Sequence, residues 1–302
     1  MNHLLTIKDW TKDQVLDLLD LADDVKGNPK GYSSKLDGCC LLMLFEKTST
    51  RTRISFENGM YQLGGNAIYL DKRASNLHLG SLSDEVRVMS EYVDLLMARV
   101  KDHEALEVMK ESSSVPVING LSDLCHPCQI LSDFMTIREN WGSLENFTLA
   151  WVGDGNNVCN SLVTGALTLG IPIHVASPKN YGPHEKVIEW SKKSGKAELL
   201  SMTSDPVEAV KDADFIYTDT HVSMGQEHEE ERRLKDLKPF QLNATLIRHS
   251  KKDPYIMHCM PLHRGIEITD EVVESSRSII FEQANNRLHL QKALMLTLLE
   301  KQ

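Results

Sequence analysis

The stretch Cys39-Cys40-Leu41-Leu42-Met43-Leu44-Phe45 is an uninterrupted apolar run, and polar residues 46–53 follow it directly. Beyond that polar segment, Phe56, Met60 and Leu63 recur at the i, i+4, i+7 spacing of a helix with one buried face. The run predicts a strand and the repeat predicts a helix, joined by a polar loop. Strands that alternate with helices in this way are typical of βαβ units, which build parallel sheets.

The same alternation continues along the 302-residue chain, which is long enough for about two α/β domains. The other predicted strands are Ala67–Asp71, Leu95–Val100, Val115–Asn119, Leu149–Gly153, Ile173–Ala176, Glu198–Ser201, Phe215–Thr218, Tyr255–Cys259 and Ser278–Phe281. Between them, Ile130, Phe134 and Ile137 repeat at helical spacing. We therefore predict two domains, each with a central, mainly parallel sheet flanked by helices.

The helix predictions at the two ends of the chain complete this division. Thr11–Val25 opens with Thr11 and Gln14 at the spacing of a capping box. A last helix is predicted over Leu288–Leu299. The simplest division places residues 1–140 in the first domain and residues 141–284 in the second. The C-terminal helix, roughly residues 285–302, is expected to pack back on the first domain.

The composition excludes several classes of protein. Apolar residues make up 41 % of the chain, and 33 basic against 43 acidic residues give a formal charge of −10, which argues against a nucleic-acid or anionic-membrane surface. No apolar run approaches the ~20 residues that a spanning helix needs. The N-terminal residues lack a basic segment followed by a long apolar one, so no secretory signal is expected. We expect a cytoplasmic protein.

The polar segment after the first strand has the composition of an anion site. Ser49, Thr50, Arg51 and Thr52 are predicted at a helix N-terminus, where free N–H groups and the helix dipole favour a phosphate. Arg51 and Arg53 lie two positions apart, so on a helix their side chains point about 200° apart and are not expected to bind the same anion. The later one, Arg53, is spaced to pair with a glutamate one turn on. Arg51 is therefore the predicted ligand.

A second candidate segment is Cys125-His126-Pro127-Cys128-Gln129. His126 precedes a proline, a favoured first helical residue, so its ring is expected at a helix N-terminus. The dipole there lowers the pKa of the imidazole and keeps it a neutral donor, which can polarise a carbonyl oxygen. The two cysteines form a CxxC without the second pair that a zinc site needs, and a redox pair remains an alternative.

The second half contains a glycine turn after a predicted strand, Trp151-Val152-Gly153-Asp154-Gly155-Asn156-Asn157. It matches half of a dinucleotide-binding fingerprint and lacks the third glycine. A nicotinamide-dependent dehydrogenase is therefore one alternative function.

Four ordered segments together are similar to the aspartate/ornithine carbamoyltransferase family. They are residues 45–57 (FEKTSTRTRISFE), residues 126–129 (HPCQ), Asp219 with residues 223–225 (SMG), and residues 258–261 (HCMP). The resemblance covers essentially the whole chain. It implies transfer of the carbamoyl group from carbamoyl phosphate to an amine, by direct attack and without metal or organic cofactor. HCMP and SMG indicate the branch that acts on the δ-amine of L-ornithine, rather than the aspartate branch.

The resemblance also implies a role for each matching residue. Carbamoyl phosphate is expected at Ser49, Thr50, Arg51, Thr52, His78, Arg99, His126, Gln129, Cys259, Met260 and Arg287. The residues expected to act in catalysis are Arg51, Arg99, His126 and Cys259. Ornithine is expected at Asn157, Asp219, Ser223 and Met224. The family forms homotrimers with shared sites, and His78, in the short 75–83 loop, is the residue expected to reach into a neighbouring subunit.

The chain departs from the family pattern at two positions. Asn285 stands where the family usually has Glu, and His221 stands where it usually has Trp. These departures leave open a non-catalytic relative that binds the anion without turnover. A carbamoyltransferase for another amine, such as putrescine or lysine, is a further alternative. Whether the reaction serves to make or to degrade arginine is equally open at this point.

Overall fold

The protein is described here from a computed structural model, which covers residues 3–223 and 225–299. The described residues form two compact units. Unit one holds the residues up to Met135 and those from Asn285 onward, and unit two is Thr136–Ala284.

Unit one is built on a four-stranded parallel sheet in the order β2-β1-β3-β4. Its strands are β1 (Cys40–Phe45), β2 (Asn66–Asp71), β3 (Leu95–Arg99) and β4 (Val117–Leu121). Its helices are α1 (Lys12–Gly27), α2 (Thr50–Gln62), α3 (Leu82–Ser90), α4 (His103–Ser112) and the first part of α5 (Pro127–Trp141). The parallel register aligns Phe45 with Arg99, so the polar loops that follow β1 and β3 leave the same edge of the sheet.

Local signals explain how these helices begin. Thr11 caps α1 and forms the predicted capping box with Gln14. Phe56, Met60 and Leu63, the predicted buried face of α2, are fully buried. The strands of the central pair β1 and β3 consist almost entirely of buried apolar residues, as expected for a sheet covered on both faces.

Unit two is built on a five-stranded parallel sheet in the order β7-β6-β5-β8-β9. Its strands are β5 (Leu149–Val152), β6 (Ile173–Ala176), β7 (Leu200–Thr203), β8 (Phe215–Thr218) and β9 (Tyr255–His258). Its helices are α6 (Asn157–Leu169), α7 (Glu185–Lys193), α8 (Pro206–Val210), α9 (Glu230–Leu237), α10 (Ala244–Ile247), α11 (Asp270–Val273) and the start of α12 (Ile280–Leu299).

The predicted fold class, two parallel sheets flanked by helices, is confirmed. One predicted strand, Ser278–Phe281, is wrong. Ser278 makes a single bridge to Ile256 of β9, and α12 begins two residues later at Ile280. The pairing therefore stops before a strand can form, and the last helix starts eight positions earlier than predicted. Within the described ranges, no helix combines the length and apolar character that a bilayer crossing requires.

The loop after β5 packs closely against another loop of unit two. Gly155 donates its N–H to the carbonyl of Tyr181 at 2.6 Å. A Cβ atom at position 155 would overlap the backbone of Gly182 and Pro183, whereas a Cβ at Gly182 itself would meet nothing within 4 Å. Only glycine at position 155 permits this approach.

We therefore predict that Gly155→Ala lowers the free energy of unfolding by about 1–3 kcal/mol, because the backbone must shift to admit the methyl group. Urea denaturation of the two variants measures this difference. Gly182→Ala is the matched control and should unfold like the parent chain. Equal stability of the two variants would show that the loop relaxes freely around the added carbon.

Candidate functional site

The N-terminus of α2 carries hydroxyl and guanidinium groups on one turn. Ser49 is the N-cap, and its hydroxyl accepts from the Thr52 N–H at 3.4 Å. The Thr52 side chain is buried, and its Oγ1 accepts from Nη2 of Arg287 in α12 at 3.0 Å. Because 235 positions separate these two residues along the chain, the fold itself brings this arginine to the helix N-terminus.

His126 lies within electrostatic reach of three arginines of unit one. It lies directly before α5, as predicted, and is 5 % exposed. Its pKa is held well below the ordinary value, first by burial and then by the positive charges of Arg287, Arg99 and Arg51. The sequence interpretation gave the helix dipole as the cause. Burial and the three guanidinium groups carry the effect instead, and they keep the imidazole neutral.

Gln129 lies in the first turn of α5 and is buried. Its Nε2 donates to Asp133 Oδ1 at 2.8 Å, which fixes the orientation of the amide. The opposite atom, Oε1, is buried and has no hydrogen-bond partner among the residues that the structure describes. A buried acceptor without a partner is costly unless a ligand donor satisfies it.

The two arginines of the α2 segment have different surroundings. Arg53 binds Glu57 at 3.0 Å, with both side chains nearly half exposed, and lies over the half-buried ring of Tyr69 at 4.1 Å. Arg51 is half-buried and contributes to the field at His126. This confirms the predicted pairing of Arg53 with Glu57.

His78 does not join this group of residues in the described structure of unit one. Its ring is exposed, and Nδ1 lies 3.2 Å from the carbonyl of Ser75 in its own loop. Asn285, the first departure from the family pattern, is also exposed.

The two cysteines beside His126 are buried, and neither forms a disulfide within the described part of the chain. Burial raises the pKa of Cys128 to about 12, and its thiol lies 3.4 Å from the carbonyl oxygen of Asn119. A thiol with so high a pKa is a poor nucleophile at neutral pH. The environment of this residue thus disfavours the redox alternative.

In unit two, Asp219 lies directly after β8 and is the centre of a polar group. Its Oδ1 accepts from the Cys259 thiol at 2.9 Å, and its Oδ2 accepts from Asn156 Nδ2 at 2.6 Å. Cys259 follows β9, the neighbouring strand, so both side chains come from adjacent strand ends. The thiol is the donor of this hydrogen bond and the carboxylate is the acceptor.

Asn156 is a site residue that the sequence analysis missed. Its Oδ1 caps α6 by accepting from the N–H groups of Val158 and Cys159, while its Nδ2 reaches Asp219. The predicted residue Asn157 is the first helical residue and is half-buried. The signal for the cap was present, since asparagine is a preferred N-cap residue directly before a helix.

The segment after Asp219 includes the other predicted ornithine residues. Ser223 is half-buried, and its N–H donates to Gln226 Oε1 at 3.1 Å, closing a short turn. The predicted residue Met224 lies outside the described residues. His221, the second departure from the family pattern, is fully buried, and burial lowers its pKa to about 4.

His258 sets the backbone next to Cys259. Its Nδ1 accepts from the Met260 N–H at 2.9 Å, and its Nε2 therefore carries the proton that points at Glu267 Oε1, 3.1 Å away. Met260 itself adopts a left-handed backbone with φ of 59°. Donor atoms of Asp219, His258 and Cys259 all lie within 4.8 Å of one another. A metal ion there would have to displace one of the two bonds that His258 already makes.

The glycine turn 153–155 does not have the features of a dinucleotide site. The Gly155 N–H is taken by the Tyr181 carbonyl, and its missing side chain accommodates protein backbone. Asp154 is buried and paired with Arg233 at 3.0 Å. The backbone donors that would hold a pyrophosphate in a dinucleotide fold are partly spent here on the protein itself.

Two family models match the chain, and together they cover nearly all of it. Residues 2–139 match the carbamoyl-P binding domain of aspartate/ornithine carbamoyltransferase, and residues 145–298 match the Asp/Orn binding domain.

Individual relatives agree with the family models. The ornithine carbamoyltransferase of Archaeoglobus fulgidus is 48 % identical over 305 residues, covering 100 % of this chain and 99 % of its own. The solved ornithine carbamoyltransferase of Pyrococcus furiosus has a TM-score of 0.94 at 46 % identity, with 99 % of this chain and 97 % of that chain covered. The anabolic enzyme of Campylobacter jejuni has a TM-score of 0.93 at 39 % identity, with both chains covered completely.

We predict that the His126 ring stays neutral as the pH falls through the ordinary imidazole pKa of about 6.5, because burial and the three arginines hold its pKa well below that value. Nitrogen NMR of protein labelled at histidine measures this, with the signal assigned by its loss in His126→Asn. Since the unfolded chain binds this proton and the folded chain does not, the residue makes folding less favourable as the pH falls below 6.5. An imidazolium signal at pH 6 would contradict the assigned environment.

Proposed function

We propose that this chain, which belongs to the aspartate/ornithine carbamoyltransferase family, transfers the carbamoyl group of carbamoyl phosphate to the δ-amine of L-ornithine, giving citrulline and phosphate. The observation that carries the site assignment is the neutral His126 ring under the positive charges of three arginines. Unit one is assigned carbamoyl phosphate, and unit two is assigned ornithine.

The N-terminus of α2 is suited to the phosphate group. Ser49, Thr50 and Thr52 supply short hydroxyl donors and backbone N–H groups there, and the dipole of this 13-residue helix favours a dianion. Arg287 is oriented by its bond to Thr52 and adds a planar fork of donors, which matches phosphate geometry. The phosphate would thus be held by groups that are fixed before it binds.

The carbonyl oxygen of the carbamoyl group is assigned to His126, Arg51 and Arg99. When the amine nitrogen bonds to the carbamoyl carbon, negative charge develops on this oxygen, and these donors stabilise it. The bond from carbon to the phosphate oxygen then breaks, and phosphate leaves with that electron pair. The nitrogen loses one proton, which the leaving phosphate accepts, and no covalent enzyme intermediate forms.

Gln129 is assigned the carbamoyl NH2 group. Since its Nε2 is already bonded to Asp133, the buried Oε1 is left as an acceptor for that NH2. A site built to accept from an NH2 group discriminates strongly against analogues that lack it. This residue therefore favours carbamoyl phosphate over acetyl phosphate.

Ornithine carries ammonium groups, and the polar group at Asp219 supplies acceptors for them. We assign the α-ammonium to Asp219 and the α-carboxylate or α-amine to Asn157, with Ser223 and Met224 completing the site. Cys259 and the Met260 carbonyl are assigned to the side-chain amine, and both are also placed next to the carbamoyl group. That amine has an unperturbed pKa of about 10.4, so it must lose a proton before it can attack.

The assembly and location belong to the same proposal. The chain is proposed to form a cytoplasmic homotrimer in which His78 contributes to the site of a neighbouring subunit, and to need no cofactor. The exposed position of His78 in its loop is compatible with such a contact.

A citrulline assay tests the function directly. The protein should form citrulline from carbamoyl phosphate and ornithine, and carbamoylate neither putrescine nor lysine. Arg51→Ala should lower turnover about a hundredfold to a thousandfold, because a donor to the developing oxyanion is lost.

Arg53→Ala is the matched control for this variant. It removes a guanidinium two positions away whose partners, Glu57 and Tyr69, are half-buried. Its turnover should remain close to that of the parent chain. Full activity in Arg51→Ala would overturn the anion-site assignment, and carbamoylation of putrescine or lysine in preference to ornithine would overturn the substrate.

Cys259→Ala should raise the KM for ornithine more than it weakens the binding of carbamoyl phosphate. The thiol is assigned to the amine, and its removal also leaves Asp219 Oδ1 without its donor. Initial-rate kinetics with each substrate varied in turn measure both constants. The reverse pattern would remove Cys259 from the amine site.

A further inference from the structure

Arg233 in α9 is a buried cation that the proposed reaction does not use. The residue is 7 % exposed, and its Nη1 donates to Asp154 Oδ2 at 3.0 Å. Its Nε donates to Glu229 Oε2 at 3.2 Å, just before the same helix. The guanidinium therefore connects α9 to the loop that follows β5.

The same guanidinium also contacts two further segments of unit two. Nη1 lies 3.5 Å from the carbonyl oxygen of His221, in the loop after β8. The group lies 5.1 Å from the ring centre of Tyr181, in the loop after β6. Tyr181 is itself bound on both sides, through its carbonyl to Gly155 and through its hydroxyl to Asp236 of α9. Arg233 thus lies where three strand-end loops meet α9.

Two of those loops carry the residues assigned to ornithine. Asp154 lies three positions before Asn157, and His221 lies two positions after Asp219. Asn156 and Asp219 are joined by a single hydrogen bond of 2.6 Å. Arg233 is a second connection between the same two loops, so it restricts their separation.

A contribution to folding stability alone does not account for the buried pair of Asp154 and Arg233. Removing a carboxylate and a guanidinium from water costs more than their attraction commonly returns, and apolar replacements are often as stable. Burial in fact raises the pKa of Asp154 to about 6 even with the guanidinium beside it. The pair instead fixes the positions of the loops that it connects. The guanidinium has five donors in a rigid fork and can therefore bind several segments at once.

We infer that Arg233 is a positioning residue for the amino-acid substrate: it holds the loops that carry Asn157 and Asp219 at the spacing that ornithine requires. The inference rests on the proposed function of unit two. Lysine cannot replace it, because an ammonium group is a point charge on a flexible stem and lacks the fork.

The test uses the full-length protein with Arg233→Gln and Arg233→Lys. Both variants should raise the KM for ornithine about tenfold to a hundredfold, since a shift of about 1 Å in a positioned group has effects of this size. The KM for carbamoyl phosphate and the inhibition constant of inorganic phosphate should not change, because those ligands are assigned to unit one. A merely destabilised protein would lose active molecules and would leave both KM values unchanged.

Arg232→Gln is the matched control. Its side chain is 64 % exposed and also binds Glu229, at 2.6 Å, but it makes no bond to Asp154. This variant should have the kinetics of the parent chain. An equal rise in the ornithine KM of Arg232→Gln would overturn the inference.

The double variant Asp154→Asn with Arg233→Gln distinguishes the effect of an unpaired buried charge from the loss of the guanidinium fork. It leaves neither partner of the buried pair charged, so it should recover the thermal stability lost in Arg233→Gln. Its KM for ornithine should stay high, because the fork is still missing. Recovery of the KM together with stability, or an unchanged KM in folded Arg233→Gln and Arg233→Lys, would overturn the inference. Failure of the parent chain to form citrulline would instead reject the proposed function.

Discussion

Three guanidinium groups, those of Arg51, Arg99 and Arg287, act on one neutral imidazole in unit one, and this concentration of positive charge governs the rest of the site. A guanidinium cannot release its proton in a protein, so the mutual repulsion cannot be relieved by titration. Arg99 and Arg287 are about 95 % buried, where water screens little of that repulsion. The energetically favourable partner for this arrangement is a small anion. His126, the group able to change its charge, is forced to remain neutral, and it can therefore donate a hydrogen bond without adding a fourth charge.

The parallel sheet lowers the conformational-entropy cost of holding these arginines close together. The loop after β1 and the end of β3 are joined by a bond from the Glu46 N–H to the Arg99 carbonyl, 2.9 Å long. The segment after β3 is joined to the end of β4 through Val100 and Leu121, also at 2.9 Å. Arg99 is the last residue of β3, and Arg51 lies in the first turn of α2, which follows the loop after β1, so these backbone bonds fix the segments from which both side chains project. Less ordering then remains to be done when a ligand binds.

Short-range signals in the sequence predicted most of the fold. The apolar run at Cys39–Phe45, the capping box at Thr11 and the proline after His126 are local, and each corresponds to an observed strand or helix start. The exception at Ser278–Phe281 is also instructive. Its composition suits a strand, but α12 begins at Ile280. Composition alone cannot show whether these residues hydrogen-bond within a helix or to a neighbouring strand.

The sequence predicted site residues that belong to a recognisable motif. It did not predict residues whose position depends on packing between distant parts of the chain. The family resemblance indicates Asn157, whereas the bond from Asn156 to Asp219 joins residues 63 positions apart and so depends on the fold. Arg233 could not be found at all from its neighbours in sequence. Its partner Asp154 is 79 positions away, and the surrounding segment reads as an exposed, highly charged helix. The low pKa of His126 was predicted in direction, but its main cause is burial, which a sequence does not display.

The opposite charges of the two candidate sites explain how a chain with a net charge of −10 can select both an anion and a cationic amino acid. Salt screens solvent-exposed charges beyond about 8–10 Å, so a distant exposed carboxylate contributes little inside either site. The nearest buried charges decide instead. In unit one they are arginines, which repel an ammonium group. In unit two the carboxylates of Asp219 and Asp154 repel a phosphate, although Arg233 neutralises part of the second charge. Like charges brought together in a desolvated site cost several kcal/mol. Each substrate is therefore disfavoured at the position of the other, and the discrimination arises as much from this repulsion as from the contacts that each site offers.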